Sequence, residues 1–343
     1  MQNTRIVAVV ELPEVTFKPN KINVKSSILY MKRRQSVDHD LEQKYPIKFI
    51  QISSLGYAGS GDRLRGFDED TLMAEIGGCL AGEAKGGEYW RSFEVDSTTI
   101  TIDPTFRLDL KYWDAATRDG IANLKKAGAR TLGESVTAPI RRGKSPPAET
   151  YVDENDGYAL VVKAGTNVSK FGEVLRLGDF IEKNQFEEMD AVTVKDGDVL
   201  LSSTGTGTLG KCAVYRGDEP AIADGHVTIL RLNQNELFPE YVCDYLRLGF
   251  GATQVQRLFT GSTGLIELTP DQVATIVVET PGGIEEQKEV SHAWRAIETK
   301  YRNAVANAEA DFEESRAKFL TIAPIAPHLT TPAGAAEDAT EDA

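Results

Sequence analysis

Apolar runs separated by polar turns fill the first part of the chain. Ile6 to Leu12 is a continuous, mostly β-branched run, which is typical of a buried strand. Val24 to Met31 and Lys48 to Ile52 repeat this pattern, and apolar positions at helical spacing follow at Asp68 to Ala81 and near Trp113 to Ala127. The pattern predicts three strands followed by two helices.

Between Tyr158 and Val278, short apolar runs alternate with Gly, Asp and Asn turns. This spacing predicts a β-rich domain. Helical patterning interrupts the domain at Pro239 to Leu248 and continues to Leu258. The basic segment before it, RRGKSPP at 141–147, cannot be helical through its two prolines.

The strongest periodicity lies near the end of the chain, where apolar residues recur at spacings of three, four or seven, as in a coiled-coil seam. No Pro or Gly interrupts Ile284 to Leu320, so the pattern predicts one long helix. A helix with a single apolar stripe needs a partner helix, and packing on its own domain is the alternative. The apolar stripe consists of Val290, Trp294, Ile297, Tyr301, Val305, Ala308, Phe312 and Phe319.

Composition narrows the class of protein. An apolar fraction of 41 % in 343 residues is enough for folded cores, and no run of about 18 apolar residues predicts a membrane span. Cys79, Cys212 and Cys243 show neither CxxC nor Cys/His spacing. They predict reduced thiols in a cytosolic protein, without a disulfide framework or a zinc site.

The net charge of −14 argues at first against a nucleic-acid partner. The sign alternates along the chain, however: residues 1–34 carry +5, residues 113–150 carry +3 and residues 151–283 carry −10. A basic segment thus leads into the β-rich domain, and the total charge does not exclude DNA.

A G-x-G-x-x-G string lies at Gly205 to Gly210. A dinucleotide or S-adenosylmethionine loop needs a helix N-terminus directly after such a string. The run that begins at Lys211 is strand-like, so we interpret the string as a loop between two strands. We call residues 203–211 the hydroxyl loop.

Short hydroxyl side chains on a glycine-permissive backbone can approach DNA and donate hydrogen bonds to phosphates. A similar loop occupies Thr260 to Gly264, and three bases lie within 141–144. The alternative is an exposed polar hairpin. The residues predicted to contact DNA are Arg141, Arg142, Lys144, Ser202, Thr204, Thr206, Lys211, Ser262 and Thr263.

Catalytic motifs are scarce. There is no G-x-S-x-G elbow, HExxH or P-loop, and Asp103 to Phe106 and Ser145 to Pro147 each match only part of an Asn/Asp-Pro-Pro-aromatic tetrapeptide. His226, after Asp224-Gly225, is interpreted as a structural histidine. The sequence predicts no catalytic residue and no metal site in this chain.

Two blocks carry a resemblance to one system. VVELPE at 9–14, FKPN at 17–20 and KSSILY at 25–30 resemble the late part of the catalytic domain in N6-adenine DNA methyltransferases, the modification subunits of type I restriction–modification systems. This match covers about residues 1–60. It implies that the S-adenosylmethionine and catalytic motifs lie upstream of Met1, so that a partner chain completes a split enzyme or the chain is a remnant.

GDVLLS at 197–202, GTGTLGK at 205–211, ADGHVTILR at 223–231 and GSTG at 261–264 resemble the target recognition domain of type I specificity subunits. This match covers about 130–320 and implies DNA recognition in a bacterial cytoplasm. Specificity subunits usually carry two recognition domains and two spacer helices, whereas this chain has one of each.

Together these observations predict an α+β fold with a partial methyltransferase sheet, a β-rich target recognition domain and a long C-terminal coiled-coil-type helix. The predicted segments are methyltransferase-like strands at 1–60, a mixed α/β connection at 61–130, the recognition domain at 131–283, a spacer helix at 284–322 and a disordered acidic tail at 323–343.

The main functional hypothesis is a non-catalytic module that recognises a DNA sequence and directs a methyltransferase or endonuclease partner to it. One alternative is a subunit of a split N6-adenine DNA methyltransferase, and another is a poorly folding fragment. The implied partners are double-stranded DNA, a modification subunit that binds S-adenosylmethionine, a restriction subunit, and a second copy through the 284–320 helix. No membrane partner is expected.

Overall fold

A computed structural model describes residues 4–22, 24–33, 44–261 and 266–322. The predicted DNA contacts of Ser262 and Thr263 and the predicted disorder of residues 323–343 lie outside these ranges. The chain divides into two compact units, with the boundary between Lys288 and Glu289. Three sheets and a set of helices make up the described residues, so the α+β class is confirmed.

The apolar runs near the start of the chain form the first sheet. Its strands are β1 (Thr4–Glu11), β2 (Ser27–Arg33), β3 (Pro46–Ile52), β4 (Gly86–Gly87) and β5 (Trp90–Asp96). They lie in the order β2-β1-β3-β5-β4, and β1 and β3 are the parallel pair. The three predicted strands are present. The sequence did not predict β5, because charged residues interrupt its apolar pattern.

Burial on both faces explains the continuous apolar runs of β1 and β3. Val9 and Phe49 belong to one core cluster, whereas the next residues along the same strands, Val10 and Ile50, belong to another. The edge strand β2 differs, because all seven of its residues are exposed.

Four helices follow β3 or β5 in the chain: α1 (Glu69–Ala81), α2 (Ser97–Ile102), α3 (Leu110–Trp113) and α4 (Ala115–Lys126). Asp68 caps α1 by accepting hydrogen bonds from the N–H groups of Asp70 and Thr71. The helix predicted near Trp113 to Ala127 is divided at Asp114, whose side chain caps α4 through the N–H of Thr117.

The β-rich region contains eight short strands, which are β6 (Arg141–Arg142), β7 (Tyr151–Val152), β8 (Ala159–Val162), β9 (Phe180–Ile181), β10 (Val199–Ser202), β11 (Cys212–Val214), β12 (Ala221–Ala223) and β13 (Val227–Leu230). They form two four-stranded sheets with the orders β11-β10-β13-β6 and β12-β8-β9-β7. Not every apolar run becomes a strand, since Asp190–Val192 is a short 3-10 helix.

Helices of this region are α5 (Lys183–Glu188), α6 (Pro239–Leu248), α7 (Phe250–Leu258) and α8 (Pro270–Ala274). The helical pattern predicted from Pro239 to Leu258 is therefore interrupted at Gly249, whose backbone is extended.

Strand β10 is buried on both faces. Leu201 packs in a core with Leu246 of α6 and with Phe49 of the first sheet, whereas Leu200 packs with Val161 and Ile222 of the other four-stranded sheet. The N-terminal sheet and the β-rich region therefore share a hydrophobic core.

The last described element is α9 (Ile284–Ile322), a single helix of 39 residues. The long C-terminal helix is thus present, and every residue of the apolar stripe is exposed. None of the described helices is both long enough and apolar enough to span a bilayer.

The three cysteines are free and buried. Burial and the neighbouring Cys243 raise the pKa of the Cys212 thiol. The Cys212 thiol therefore stays protonated, and the three side chains pack as small apolar residues in the core.

An ion pair between the buried Asp198 carboxylate and the half-buried Arg231 fixes the start of β10, and its loss should be costly. Asp198, 1 % exposed, accepts hydrogen bonds from Nε and Nη2 of Arg231 at 2.9 and 2.7 Å and from the N–H of Lys195 at 2.8 Å. Asp198→Ala leaves Arg231 without its carboxylate, so we expect the free energy of unfolding in urea to fall by about 3 kcal/mol.

Asp196→Ala is the matched control, since Asp196 forms an exposed pair with Arg216 at 3.1 Å. Its loss should cost less than about 1 kcal/mol. Equal losses in the two variants would contradict the structural role given to Asp198.

Candidate nucleic-acid interface

The hydroxyl loop joins β10 to β11 in a defined conformation. Gly205, Gly207 and Gly210 have φ values of 87°, 85° and 89°, in the left-handed region that other residues rarely adopt. The Leu209 N–H donates to the carbonyl of Gly205 at 3.0 Å, and the Lys211 N–H donates to that of Thr208 at 3.0 Å. A strand follows the loop, so it lacks the helix N-terminus of a dinucleotide site, as predicted.

The polar side chains of the hydroxyl loop and of Ser202, which precedes it, differ in their exposure to solvent. Thr206 is exposed, and Thr204 and Lys211 are half-buried. Ser202 and Ser203 are completely buried, and the Ser202 hydroxyl lies 3.4 Å from the carbonyl of Ala164. Ser202 ends a strand that is packed on both faces, so its hydroxyl is not directed at solvent.

Residues 266–268 link the hydroxyl loop to Thr260, the first residue of the second glycine-rich loop. The Gly205 N–H donates to the carbonyl of Ile266 at 3.1 Å, and the Leu268 N–H donates to that of Ser203 at 2.8 Å. Glu267 also exchanges two backbone hydrogen bonds with Thr260, at 2.8 and 2.9 Å. The segment therefore connects the hydroxyl loop to the start of the second loop.

The basic segment at 141–147 contacts residues 266–268 through Arg142. Its guanidinium forms an ion pair with Glu267 and donates to the carbonyl of Leu268 at 3.1 Å. Arg142 is half-buried and its charge is balanced by Glu267, whereas Arg141 and Lys144 are exposed. The structure thus brings the basic segment and the hydroxyl loop together, with Arg141 and Lys144 as its accessible cations.

A concave site of about 490 Å³ lies beside the hydroxyl loop. Strands β8 and β12 are parallel, so the residues that follow them, Lys163 and Asp224, meet at one edge. The site is lined by Tyr151, Lys163, Ala164, Gly165, Thr166, Thr204, Gly205, Thr208, Asp224 and His226. We call it the polar pocket.

The turn at 224–226 links the walls of the polar pocket. The buried Asp224 carboxylate accepts hydrogen bonds from the Ser145 hydroxyl at 2.7 Å and from the His226 N–H at 3.0 Å. The His226 imidazole is exposed, and its Nδ1 lies 2.6 Å from the Thr204 hydroxyl. The His226 ring therefore lies at the surface of the site, where it contacts the hydroxyl loop.

Lys163 places an ammonium group in the wall of the polar pocket, where it is paired with Asp179. Burial alone would lower the pKa of Lys163, but the hydrogen bond to Asp179 and nearby negative charges raise it overall, so the ammonium group stays protonated. Burial raises the pKa of Tyr151, whose ring centre lies 4.4 Å from Lys163 Nζ. The phenol therefore remains a hydrogen-bond donor.

Sequence reasoning missed Tyr151, Lys163 and Asp224 as site residues. A signal was present for two of them, because Lys163 and Asp224 each follow a buried apolar run. The sequence does not show that β8 and β12 are parallel neighbours, because this pairing depends on tertiary structure.

A second cavity of about 570 Å³ lies between the first sheet and the two loops, and Thr206, Thr260, Lys25 and Arg107 contribute to its wall. Lys111, also in the wall, donates to the carbonyl of Phe259 at 2.8 Å. Burial lowers the pKa of Lys111 to about 7.

No group of three His, Cys, Asp or Glu side chains within the described part of the chain is arranged to hold a metal ion. The polar side chains that line the polar pocket are hydroxyls, one ammonium group, one carboxylate and one imidazole.

No protein-family model and no curated protein matches the chain. Among solved structures, the HsdS subunit from Thermoanaerobacter tengcongensis is 19 % identical, with 60 % of this chain and 51 % of that chain aligned and a TM-score of 0.40. This chain therefore spans about half the length of that subunit.

Two further solved structures are similar. A type I restriction–modification S subunit from M. genitalium is 12 % identical over 54 % of this chain and 42 % of that chain, with a TM-score of 0.36. A chain from a type I restriction–modification complex is 16 % identical over 75 % and 70 %, with a TM-score of 0.39.

Proposed function

We propose that the chain is a DNA sequence-recognition module of a type I-like restriction–modification system, with no catalysis of its own. One observation carries the proposal: three segments far apart in sequence, 141–145, 203–211 and 224–226, converge around the polar pocket. The Ser145–Asp224 and Thr204–His226 contacts connect them directly, and the Arg142–Glu267 pair ties the first segment to residues 266–268, which bond to the hydroxyl loop. The sequence resemblance of residues 130–320 to target recognition domains agrees with it.

Each part of this surface has a distinct task in the proposal. Exposed Arg141 and Lys144 contact phosphates, which position a protein on DNA without reading sequence. Thr204, Thr206, Tyr151 and His226 offer the donors and acceptors that can read base edges. Because residues 151–283 carry a net charge of −10, nonspecific affinity is weak and selectivity rests on a few placed contacts.

The phosphate contact can be tested by charge reversal at Lys144. Lys144→Glu should weaken binding of DNA duplexes broadly and lower the salt slope of log K by about 1 to 2, because fewer counterions are released. Lys126→Glu on α4, an exposed lysine that lines neither cavity, is the matched control. Fluorescence anisotropy across a salt series measures both slopes.

The same anisotropy assay, run on a set of genomic fragments, tests base readout by His226. His226→Ala should reduce the differences in affinity among the fragments and leave the salt slope of log K unchanged.

For the phosphate contact, equal salt slopes of log K in the wild-type chain and in Lys144→Glu would exclude this surface as the DNA contact.

The apolar stripe of α9 is the second element of the proposal. Its exposed residues pair with a helix of a second copy or of a partner subunit, since a long helix with one apolar face gains stability from such packing. The pairing fixes the distance between two recognition modules and hence between two half-sites.

Substitution within the stripe tests this pairing. Ile297→Glu with Tyr301→Glu should convert an associated chain to monomer in sedimentation velocity, because the two charges would be buried at the seam. Asn303→Glu, exposed and outside the stripe, should leave the association intact. A wild-type chain that stays monomeric alone and with the modification subunit would exclude the pairing.

A second candidate function is a subunit of a split N6-adenine DNA methyltransferase in the bacterial cytoplasm. The observation that favours it is that residues 4–52, which carry the methyltransferase resemblance, include three neighbouring strands of one sheet. In this case the partner chain binds S-adenosylmethionine and holds the catalytic motifs.

Transfer of labelled methyl groups to adenine separates the two candidates. Mixing the chain with the methyltransferase chain should give activity even on nonspecific DNA if residues 1–60 complete the enzyme. A partner that is active on nonspecific DNA by itself, and only gains site preference from this chain, supports the recognition module alone.

A further inference from the structure

The edge strand β2 exposes large apolar side chains on both faces of the first sheet. Ile28, Leu29, Tyr30 and Met31 are 53, 41, 49 and 49 % exposed. Side chains alternate along a strand, so Ile28 and Tyr30 lie on one face and Leu29 and Met31 on the other. A strand with one face on a core would alternate between buried and exposed residues, and β2 does not.

The backbone of β2 is also open on one side. The Leu12 N–H donates to the carbonyl of Ser26 at 3.0 Å, and the register pairs Val10 with Ile28 and Ala8 with Tyr30. Hydrogen-bonded pairs alternate in an antiparallel ladder, so Ile28 and Tyr30 direct their backbone groups at β1. Leu29 and Met31 direct theirs outward, where no strand of the described chain pairs with them.

Such an edge is a template for pairing, and proteins usually block it with short strands, bulges, prolines or inward-pointing charges. β2 has seven residues, no proline, and its charges, Lys32 and Arg33, at one end. The irregularity of its pairing with β1 lies between the Ala8–Tyr30 and Ile6–Met31 pairs, and the extra residue belongs to β1, so β2 itself carries no bulge. The apolar stretch is therefore unprotected.

We propose that β2 docks by strand addition onto the open sheet edge of an α/β domain in a partner chain. The inference rests on the proposed function only in taking the methyltransferase chain as that partner. The added strand bonds to the outward N–H and C=O groups of Leu29 and Met31. The helices on the two faces of the partner sheet cover the Ile28–Tyr30 and Leu29–Met31 faces.

The two exposed faces select this occupant over a second copy. Two β2 strands paired edge to edge would satisfy each other's backbone groups but would bring no layer over either face.

The charge of this segment determines which side chains the partner strand needs. Residues 15–33 contain basic but no acidic side chains. Lys25 is paired with Glu11 at 3.0 Å, whereas Lys32 and Arg33 lie exposed at the end of the strand. The partner strand therefore carries acidic residues opposite Lys32 and Arg33.

Leu29→Pro in the full chain tests the docking. It removes one outward N–H without removing a hydrogen bond to β1, a position where an edge strand tolerates proline. The affinity for the methyltransferase chain, measured by sedimentation or calorimetry, should fall at least tenfold. Leu29→Val, which keeps the N–H and the strand preference, is the matched control and should bind as the wild type does.

Hydrogen exchange gives a readout that does not depend on the variant. The amides of Leu29 and Met31 should exchange fast in the free chain and become protected in the complex, whereas those of Ile28 and Tyr30 are protected in both. The proposal is overturned if no complex forms, if the complex leaves Leu29 and Met31 unprotected, or if their protection arises in the chain alone as its concentration rises.

Anisotropy with DNA on the chain alone keeps the two proposals apart. A chain that binds DNA sequence-selectively but leaves β2 unprotected in the complex overturns the docking alone. A chain that docks through β2 but shows no sequence-selective DNA binding overturns the recognition function alone.

Discussion

The hydrogen bonds made by residues 266–268 hold the candidate interface together. This short extended segment pairs with the hydroxyl loop on one side and with Thr260 on the other, and its Glu267 carboxylate pairs with Arg142. Loop backbones buried without partners would lose the hydrogen bonds they make to water. The segment supplies those partners for Ser203, Gly205 and Thr260, and so it fixes the backbone from which the side chains of the hydroxyl loop extend.

The core explains why these loops have a fixed place. β10 is packed on both faces, against the helices and first sheet on one side and the second four-stranded sheet on the other. The loop that leaves it therefore starts from a rigid position, which sequence-selective contacts require. The same packing places Ser202 in the interior, where its hydroxyl lies against the carbonyl of Ala164 and is shielded from solvent.

The cations of the candidate interface fall into two groups, those paired with carboxylates and those exposed to solvent. Arg142 and Lys163 are paired with Glu267 and Asp179, so they contribute more to the architecture of the site than to its net charge. Arg141 and Lys144 remain as the exposed cations of the basic segment. For the proposed contact with DNA, this arrangement in an acidic chain favours specific over nonspecific binding, because few phosphates can be neutralised.

The sequence by itself determined the local elements: the first three strands, α1, the long C-terminal helix with its exposed stripe, and the hydroxyl loop between strands. Apolar periodicity, glycines and prolines act over a few residues, so their pattern along the chain is sufficient for such elements. The arrangement of the site residues depends on tertiary structure. The meeting of Lys163 with Asp224, the pairing of Arg142 with Glu267 and the burial of Ser202 all depend on which strands become neighbours. Packing between residues far apart in sequence determines that choice, and no local pattern records it.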